Sequence, residues 1–147
     1  MKTFILFSAI VLSSQAMSSE VLLNFTRGSG FGPTVSRSSL VVTSDGEVTK
    51  KFTQLRLVRS NKIGKLTANA VANLKDKIET IADEGKLINL DAKRPQCADA
   101  PSSSLIVNKG GKEIVIAARR ACQNHETKDL ETKALLNLVQ SFEYIAE

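Results

Sequence analysis

Two stretches of the chain repeat apolar residues at the spacing of an amphipathic helix. In the first, intervals of three and four positions separate Val71, Leu74, Ile78 and Ile81. In the second, the same intervals separate Leu135, Leu138, Phe142 and Ile145. Thr67 and Gly85 are suited to cap the two ends of the first helix, and the second begins near Thr127 or Asp129. Because each helix has one apolar face, we predict that both pack on a sheet.

Several shorter segments have the composition of β-strands. Residues 21–25, 38–43 and 48–58 are rich in Val, Leu, Thr and Phe. Asp45-Gly46 between the last two is a strong hairpin signal. The alternation of apolar residues changes within the third segment, and a bulge near Thr53 and Gln54 explains the change.

A second hairpin is predicted from residues 104–108 and 112–118. If Val107 faces Lys112 across a four-residue loop, the same register places Cys97 opposite Cys122 and Asp99 opposite Arg120. Five residues then share the face toward the core: Leu105, Val107, Ile114, Ile116 and Ala118. We therefore predict a two-layer α+β fold in the order β-β-β-α-β-β-α. It has an antiparallel sheet of about five strands, both helices on one face and one disulfide.

The beginning of the chain has the features of a secretory signal peptide. Lys2 precedes an apolar run over residues 4–12, and Ser14-Gln15-Ala16 is a small-x-small cleavage triplet. We predict a signal peptide over residues 1–16 and a single exported domain over residues 17–147. No Cys stands directly after the cleavage site, so lipid attachment is not indicated, and no later segment is long and apolar enough to span a bilayer. A periplasmic or secreted protein is therefore expected. In that compartment Cys97 and Cys122 should form a disulfide.

Composition narrows the function classes. The chain is 42% hydrophobic with a formal net charge of +5, which argues against a wholly disordered protein. Aromatic residues make up only 5%, and nucleic acid is therefore not an expected partner, because single-strand readers stack bases on aromatic platforms. Basic residues such as Arg56, Arg59, Lys62 and Lys65 are interpreted as solvated faces or as contacts for an anionic partner.

Catalytic chemistry has one candidate set. His125 is the only histidine, and it could act with Asp99 and one serine of Ser102, Ser103 and Ser104 in a small hydrolase. The serines lack a nucleophile-elbow pattern and His125 lies in a polar linker, so we assign no catalytic residue and regard the hydrolase as the alternative. No cofactor or metal site is predicted.

The preferred interpretation is a small non-enzymatic binding module, such as an inhibitor or an envelope-associated interaction protein. Its partner would be another exported protein or an anionic envelope component. The loops over residues 28–33 and 93–101 are the expected contact regions. The candidate binding residues are Phe31, Arg94, Asp99, Arg119 and Arg120.

Overall fold

The computed structural model describes residues 19–29, 36–97 and 100–145. Within them, ten elements follow one another in the order β1(Val21–Gly28), β2(Ser36–Thr43), β3(Glu47–Gln54), β4(Leu57–Lys65), α1(Ala68–Glu79), β5(Ile88–Asn89), β6(Ser102–Lys109), β7(Lys112–Arg120), β8(Gln123–Glu126) and α2(Leu130–Ile145). The strands form one antiparallel sheet in the spatial order β4-β3-β2-β1-β6-β7-β8-β5.

The predicted sheet of about five strands is wrong, because the sheet described here has eight. One additional strand is β4, which the sequence pattern had merged with β3 into a single strand over residues 48–58. The change of alternation near Thr53 and Gln54 is a turn at Leu55-Arg56, and not a bulge. Leu55 adopts a positive φ of 55°, a conformation that leucine rarely takes. No Gly, Asn or Asp therefore marked this turn in the sequence.

The turn between β7 and β8 has the same character. Ala121 and Cys122 adopt positive φ angles of 47° and 66°, which let the chain reverse within two residues. Strand β8, which the sequence analysis had interpreted as a polar linker, pairs with β7 through Arg120 and Gln123 and continues to Glu126. The last missed strand, β5, has only two residues and pairs with β8.

The predicted disulfide between Cys97 and Cys122 is confirmed, with an S–S distance of 2.11 Å. The register that suggested it is wrong, because Lys112 pairs with Lys109 across a two-residue Gly110-Gly111 turn. Cys122 lies in the β7–β8 turn, and Cys97 lies in the segment that follows β5. The Cys97 backbone N–H donates to the Ala121 carbonyl at 3.1 Å, which places the two segments side by side.

A β-bulge in β7 decides which side chains face the helices. Val107 pairs with Ile114, but Leu105 pairs with Ala117, so that one extra residue is accommodated in β7. The extra residue reverses the alternation beyond it. Ala118 therefore faces away from the helices, contrary to the prediction, and Arg119 faces the same side as Leu105.

The core lies between the sheet and both helices. A row of directly paired residues crosses five strands and is buried throughout: Val48, Val42, Leu23, Val107 and Ile114. The predicted apolar face of α1 is confirmed, because Val71, Leu74 and Ile78 are buried in this core. Ile81, which follows the helix, is buried with them. Leu135, Leu138 and Phe142 of α2 contact the same core. Lys77 and Glu131 connect the two helices through an ion pair at 2.8 Å.

Of the two predicted ends of α1, only the N-terminal one agrees with the structure. Thr67 is the N-cap of α1, and its hydroxyl accepts a hydrogen bond from the Ala70 backbone N–H at 3.3 Å. The C-cap is Thr80, so the assignment of Gly85 to that position is wrong. Gly85 lies in the following turn, which two lysines of the β6–β7 hairpin hold in place. Lys109 donates to the Ile81 carbonyl at 2.7 Å and Lys112 to the Asp83 carbonyl at 2.9 Å.

Three predictions fall on residues outside the described part of the chain. They are the signal peptide over residues 1–16 and the binding residues Phe31 and Asp99. Among the helices that the structure describes, none has the length and hydropathy needed to cross a membrane.

Candidate functional site

A cavity of about 390 Å³ lies between α2 and the strands β1, β6, β7 and β8. Its floor is a row of paired residues on three neighbouring strands, Phe25 on β1, Leu105 on β6 and Ala117 on β7. Leu105 and Ala117 are buried, and Phe25 is partly buried against the core. The floor is therefore an apolar extension of the hydrophobic core.

The next row of the same face is polar and cationic. Arg27 pairs with Ser103, and Ser103 pairs with Arg119, so that one serine lies between two arginines. Neighbouring strands are about 4.8 Å apart, and directly paired side chains lie on the same face of a sheet. The backbones of the two arginines are thus about 10 Å apart across Ser103. We call these three residues the Arg–Ser–Arg row.

Helix α2 forms the opposite wall of the cavity. Leu136, Val139 and Gln140 line it from one side of the helix. Val139 is buried and Leu136 is partly buried, whereas Gln140 is exposed at the mouth. The cavity consequently has an apolar interior and a polar, cationic rim.

One carboxylate also belongs to the lining. Glu126 of β8 pairs with Ala117 and therefore faces the cavity at the level of the floor. Among the described side chains, no carboxylate lies within 4.0 Å of the Arg27 or Arg119 guanidinium. Arg27 and Arg119 contribute two positive charges to the lining, and Glu126 contributes one negative charge. The rim therefore favours an anionic group.

A second hollow continues the same face of the sheet toward β3. It has a volume of about 320 Å³ and shares Arg27 and Pro101 with the first cavity. Ser38 and Phe52 line it, and both belong to the row that contains Arg27, because Arg27 pairs with Ser38 and Ser38 pairs with Phe52. Arg27 therefore lies between two adjoining hollows.

Ser103 and His125, both residues of the hydrolase hypothesis, contribute to the lining of the first cavity, but strand pairing keeps the serines of β6 apart from His125. Ser104 and His125 lie in one row, but Ala118 lies between them, which places their backbones about 10 Å apart. The Ser104 hydroxyl shares a hydrogen bond with Thr26 Oγ1 at 2.7 Å. Ser103 points to the other face of the sheet. The described residues thus bring no serine hydroxyl into hydrogen-bond contact with His125, and the third member, Asp99, lies outside them.

Of the predicted binding residues, Arg119 lines the cavity and the other described ones do not. Arg120 is paired with Gln123 and points to the opposite face of β7. Arg94 is exposed, and its guanidinium lies 3.4 Å from Asp91, while its carbonyl accepts a hydrogen bond from the buried Gln123 side chain. Arg94 therefore helps to attach the segment after β5 to β8.

Arg27, Ser103 and Phe25 were not predicted from the sequence as binding residues. Arg27 directly precedes the loop over residues 28–33, and Ser103 was considered only as one of the three serines of the hydrolase hypothesis. Their juxtaposition depends on the pairing of β1 with β6, which are distant in sequence. Arg119 joins them because of the bulge in β7, and no residue of that bulge is a glycine.

Comparisons of this chain with protein-family models, with curated proteins and with solved structures give no match. Function is therefore inferred from the geometry of the site. In the described ranges, no group of three or more His, Cys, Asp and Glu side chains is arranged to hold a metal ion.

Proposed function

We propose that the protein is an exported, non-enzymatic binding module that holds a small anionic amphiphile in the cavity between α2 and the strands β1, β6 and β7. The observation that carries this proposal is the Arg–Ser–Arg row beside an apolar floor. The acidic group of the ligand lies at the row, and its apolar part extends over the floor toward α2.

The row supplies the donors that an oxyanion requires. A guanidinium presents several N–H donors in a fixed plane and remains charged at every physiological pH. Two guanidinium groups and the hydroxyl of Ser103 can therefore surround a carboxylate, sulfonate or phosphate group. Hydrogen bonds to charged groups are worth about 1.5 to 3 kcal/mol each, which makes the two arginines the main determinants of affinity.

The floor and the α2 wall supply the remaining binding energy. Ligand sites are concave, mostly apolar and equipped with a few polar groups that orient the ligand. A volume of about 390 Å³ lies in the range of such sites. Glu126 at the level of the floor disfavours a second acidic group at the buried end, so the ligand has its charge at one end only.

A fluorescence titration with 1-anilinonaphthalene-8-sulfonate tests the proposal, since this probe combines a sulfonate with an apolar ring system. The probe should bind, and decanoate should displace it at lower concentrations than the neutral decanol. The Arg27→Gln and Arg119→Gln variants should each bind the probe about tenfold more weakly, which corresponds to about 1.4 kcal/mol. Glu126→Gln should bind it more tightly.

Arg120→Gln is the matched control, because Arg120 is the neighbour of Arg119 but points to the other face of the sheet. Its probe affinity should equal that of the unmodified protein. Equal losses in Arg119→Gln and Arg120→Gln, or equal displacement by decanoate and decanol, would refute the proposed site. Hydrolysis of an aryl ester that disappears in His125→Ala would favour the hydrolase instead.

A further inference from the structure

The hairpin of β3 and β4, residues 47–65, carries a concentrated positive charge. It contains six basic residues, namely Lys50, Lys51, Arg56, Arg59, Lys62 and Lys65. Its only acidic residue is Glu47, which forms an ion pair with Lys62 at 2.6 Å. The excess of five positive charges equals the formal net charge of the entire chain, so acidic and basic residues balance elsewhere. We call this segment the cationic hairpin.

The tip of the cationic hairpin exposes four apolar side chains around Arg56, which lies in the turn. The exposed fractions are 40% for Phe52, 72% for Leu55, 67% for Leu57 and 66% for Val58. These four make up more than half of the seven exposed large hydrophobic residues in the described part of the chain. Such a cluster at the end of a charged arm indicates a contact surface rather than scattered surface apolar residues.

Both faces of the hairpin have the same order of apolar tip and basic stem. On the face that continues the helix-covered side, Leu57 lies nearest the turn, Phe52 lies beside its partner Arg59, and Lys50 follows. On the opposite face, Val58 precedes Lys51 and Lys62. A protein partner of ordinary size contacts one face of a hairpin, whereas a lipid headgroup layer surrounds an inserted tip on all sides.

We propose that the cationic hairpin docks on an anionic lipid bilayer surface. The apolar tip enters the boundary between headgroups and acyl chains, and the basic residues behind it contact lipid phosphates. Long Lys and Arg side chains suit this position, because their apolar stems lie along the tip while their charged ends reach the headgroups. The hairpin adjoins the second hollow through Phe52, but none of its described residues lines the first cavity, so this inference does not depend on the ligand proposed there.

A second copy of the chain is the competing occupant, since β4 is an edge strand of the sheet and its outer edge is open to pairing. The charge of the hairpin disfavours this arrangement. Pairing two β4 strands would bring together two strands that each carry Arg59, Lys62 and Lys65, and like charges on paired strands are destabilising.

Co-sedimentation with vesicles of phosphatidylcholine, with and without phosphatidylglycerol, tests the inference. The protein should sediment with the anionic vesicles, and added salt should release it. The triple variant Leu55→Asn, Leu57→Thr and Val58→Thr removes the apolar tip without disrupting the hairpin, because Asn accepts the positive φ of position 55 and Thr is favoured in strands. Leu130→Ser is its control, since Leu130 is 87% exposed outside the hairpin.

A charge test uses two double variants with the same change in net charge. Lys51→Glu with Arg59→Glu should weaken partitioning onto anionic vesicles by about fivefold or more for each basic residue replaced. Lys128→Glu with Lys133→Glu, both exposed residues near the start of α2, should have a much smaller effect. The reductions should be specific to the hairpin and should occur without any change in the circular dichroism spectrum.

Three results would overturn the inference. One is equal sedimentation with neutral and anionic vesicles, and another is an equal loss of binding in the two charge-reversed variants. The third is a dimer in analytical ultracentrifugation that the tip variants dissociate while vesicle binding is absent, because it would assign the hairpin to contact between copies.

Discussion

The helix-covered part of the sheet and the cationic hairpin are built from the same kind of strand in different surroundings. Under the helices, Leu23, Leu105 and Val107 are fully buried. In the hairpin, Leu57 and Val58 also point to alternate faces of a strand, but both side chains remain largely exposed. Alternation of side chains therefore specifies two faces, and only the packed helices determine that one of them becomes core.

The two parts also differ in how their turns are supported. The β2–β3 turn uses Gly46, which has a φ of 86° and lies so close to the Leu66 carbonyl that a Cβ atom would be only 2.7 Å away. The β3–β4 turn uses Leu55 at a φ of 55° with an exposed side chain. Contacts with neighbouring residues therefore restrict the residue at position 46, whereas the exposed position 55 can accept other residue types.

Truncation of one leucine in each part should give the largest difference. Leu105→Ala should lower the free energy of unfolding by about 2 to 5 kcal/mol, because it leaves a cavity in a fully buried position. Leu57→Ala should change it by less than about 0.5 kcal/mol, because the side chain is already solvated. Urea unfolding followed by circular dichroism measures both, and equal losses would show that the hairpin tip is packed in solution.

Loss of the disulfide should have the next largest effect. The bond between Cys97 and Cys122 closes a loop with a sequence separation of 25, and replacement of both by Ser should lower the free energy of unfolding by about 3 kcal/mol. It should also loosen the β7–β8 turn, where Ala121 and Cys122 have positive φ. Urea unfolding with and without dithiothreitol is the measurement, and the reductant should leave the double variant unchanged. The turn at Leu55 lacks such a bond and should be insensitive to reduction.

Substitutions in the two turns should change the free energy of unfolding in opposite directions. Gly46→Ala should destabilise the protein by about 1 to 3 kcal/mol, through its positive φ and the contact with Leu66. Leu55→Asn should be neutral or should stabilise it by up to about 1 kcal/mol, since Asn tolerates that conformation better. Thermal unfolding of the two variants measures the difference. A destabilising Leu55→Asn would mean that the leucine side chain contributes contacts in solution.

Lowering the pH should change the free energy of unfolding least. The change arises from one ion pair in each part, Asp83–Lys109 and Glu47–Lys62. A hydrogen bond and the charge of Lys109 lower the pKa of Asp83 below 3.8, and Lys62 lowers the pKa of Glu47 below 4.5 in the same way. Because each folded pKa is depressed, the contribution to stability is present above the unfolded pKa and is lost as the pH falls through the folded value. Both pairs are solvent-accessible, so the contributions are small and sensitive to salt.

Urea midpoints between about pH 5 and about pH 2 measure this loss. Asp83→Asn and Glu47→Gln should each flatten the pH dependence slightly, and Asp76→Asn is a control because Asp76 forms no ion pair with a described side chain. A steeper pH dependence in either variant would contradict the depressed pKa values.

The candidate site shows how far prediction from the sequence reaches. Arg119 was predicted as a binding residue, and it lines the cavity. Its neighbours Arg27 and Ser103 were missed, because their approach depends on pairing between strands that are about seventy residues or more apart in sequence. The bulge in β7 was missed as well, and that bulge turns Arg119 toward Arg27.

The sequence alone determined the features that depend on local preference. The apolar faces of α1 and α2, the cap at Thr67 and the hairpin at Asp45-Gly46 follow from residue types at fixed spacing, and two cysteines in a predicted exported chain indicated their disulfide. Tertiary structure alone decided the number of strands, their register and the Arg–Ser–Arg row. The reason is that the turns at Leu55 and at Ala121-Cys122 run against the local preferences of their residues, and only strand pairing and packing stabilise those conformations.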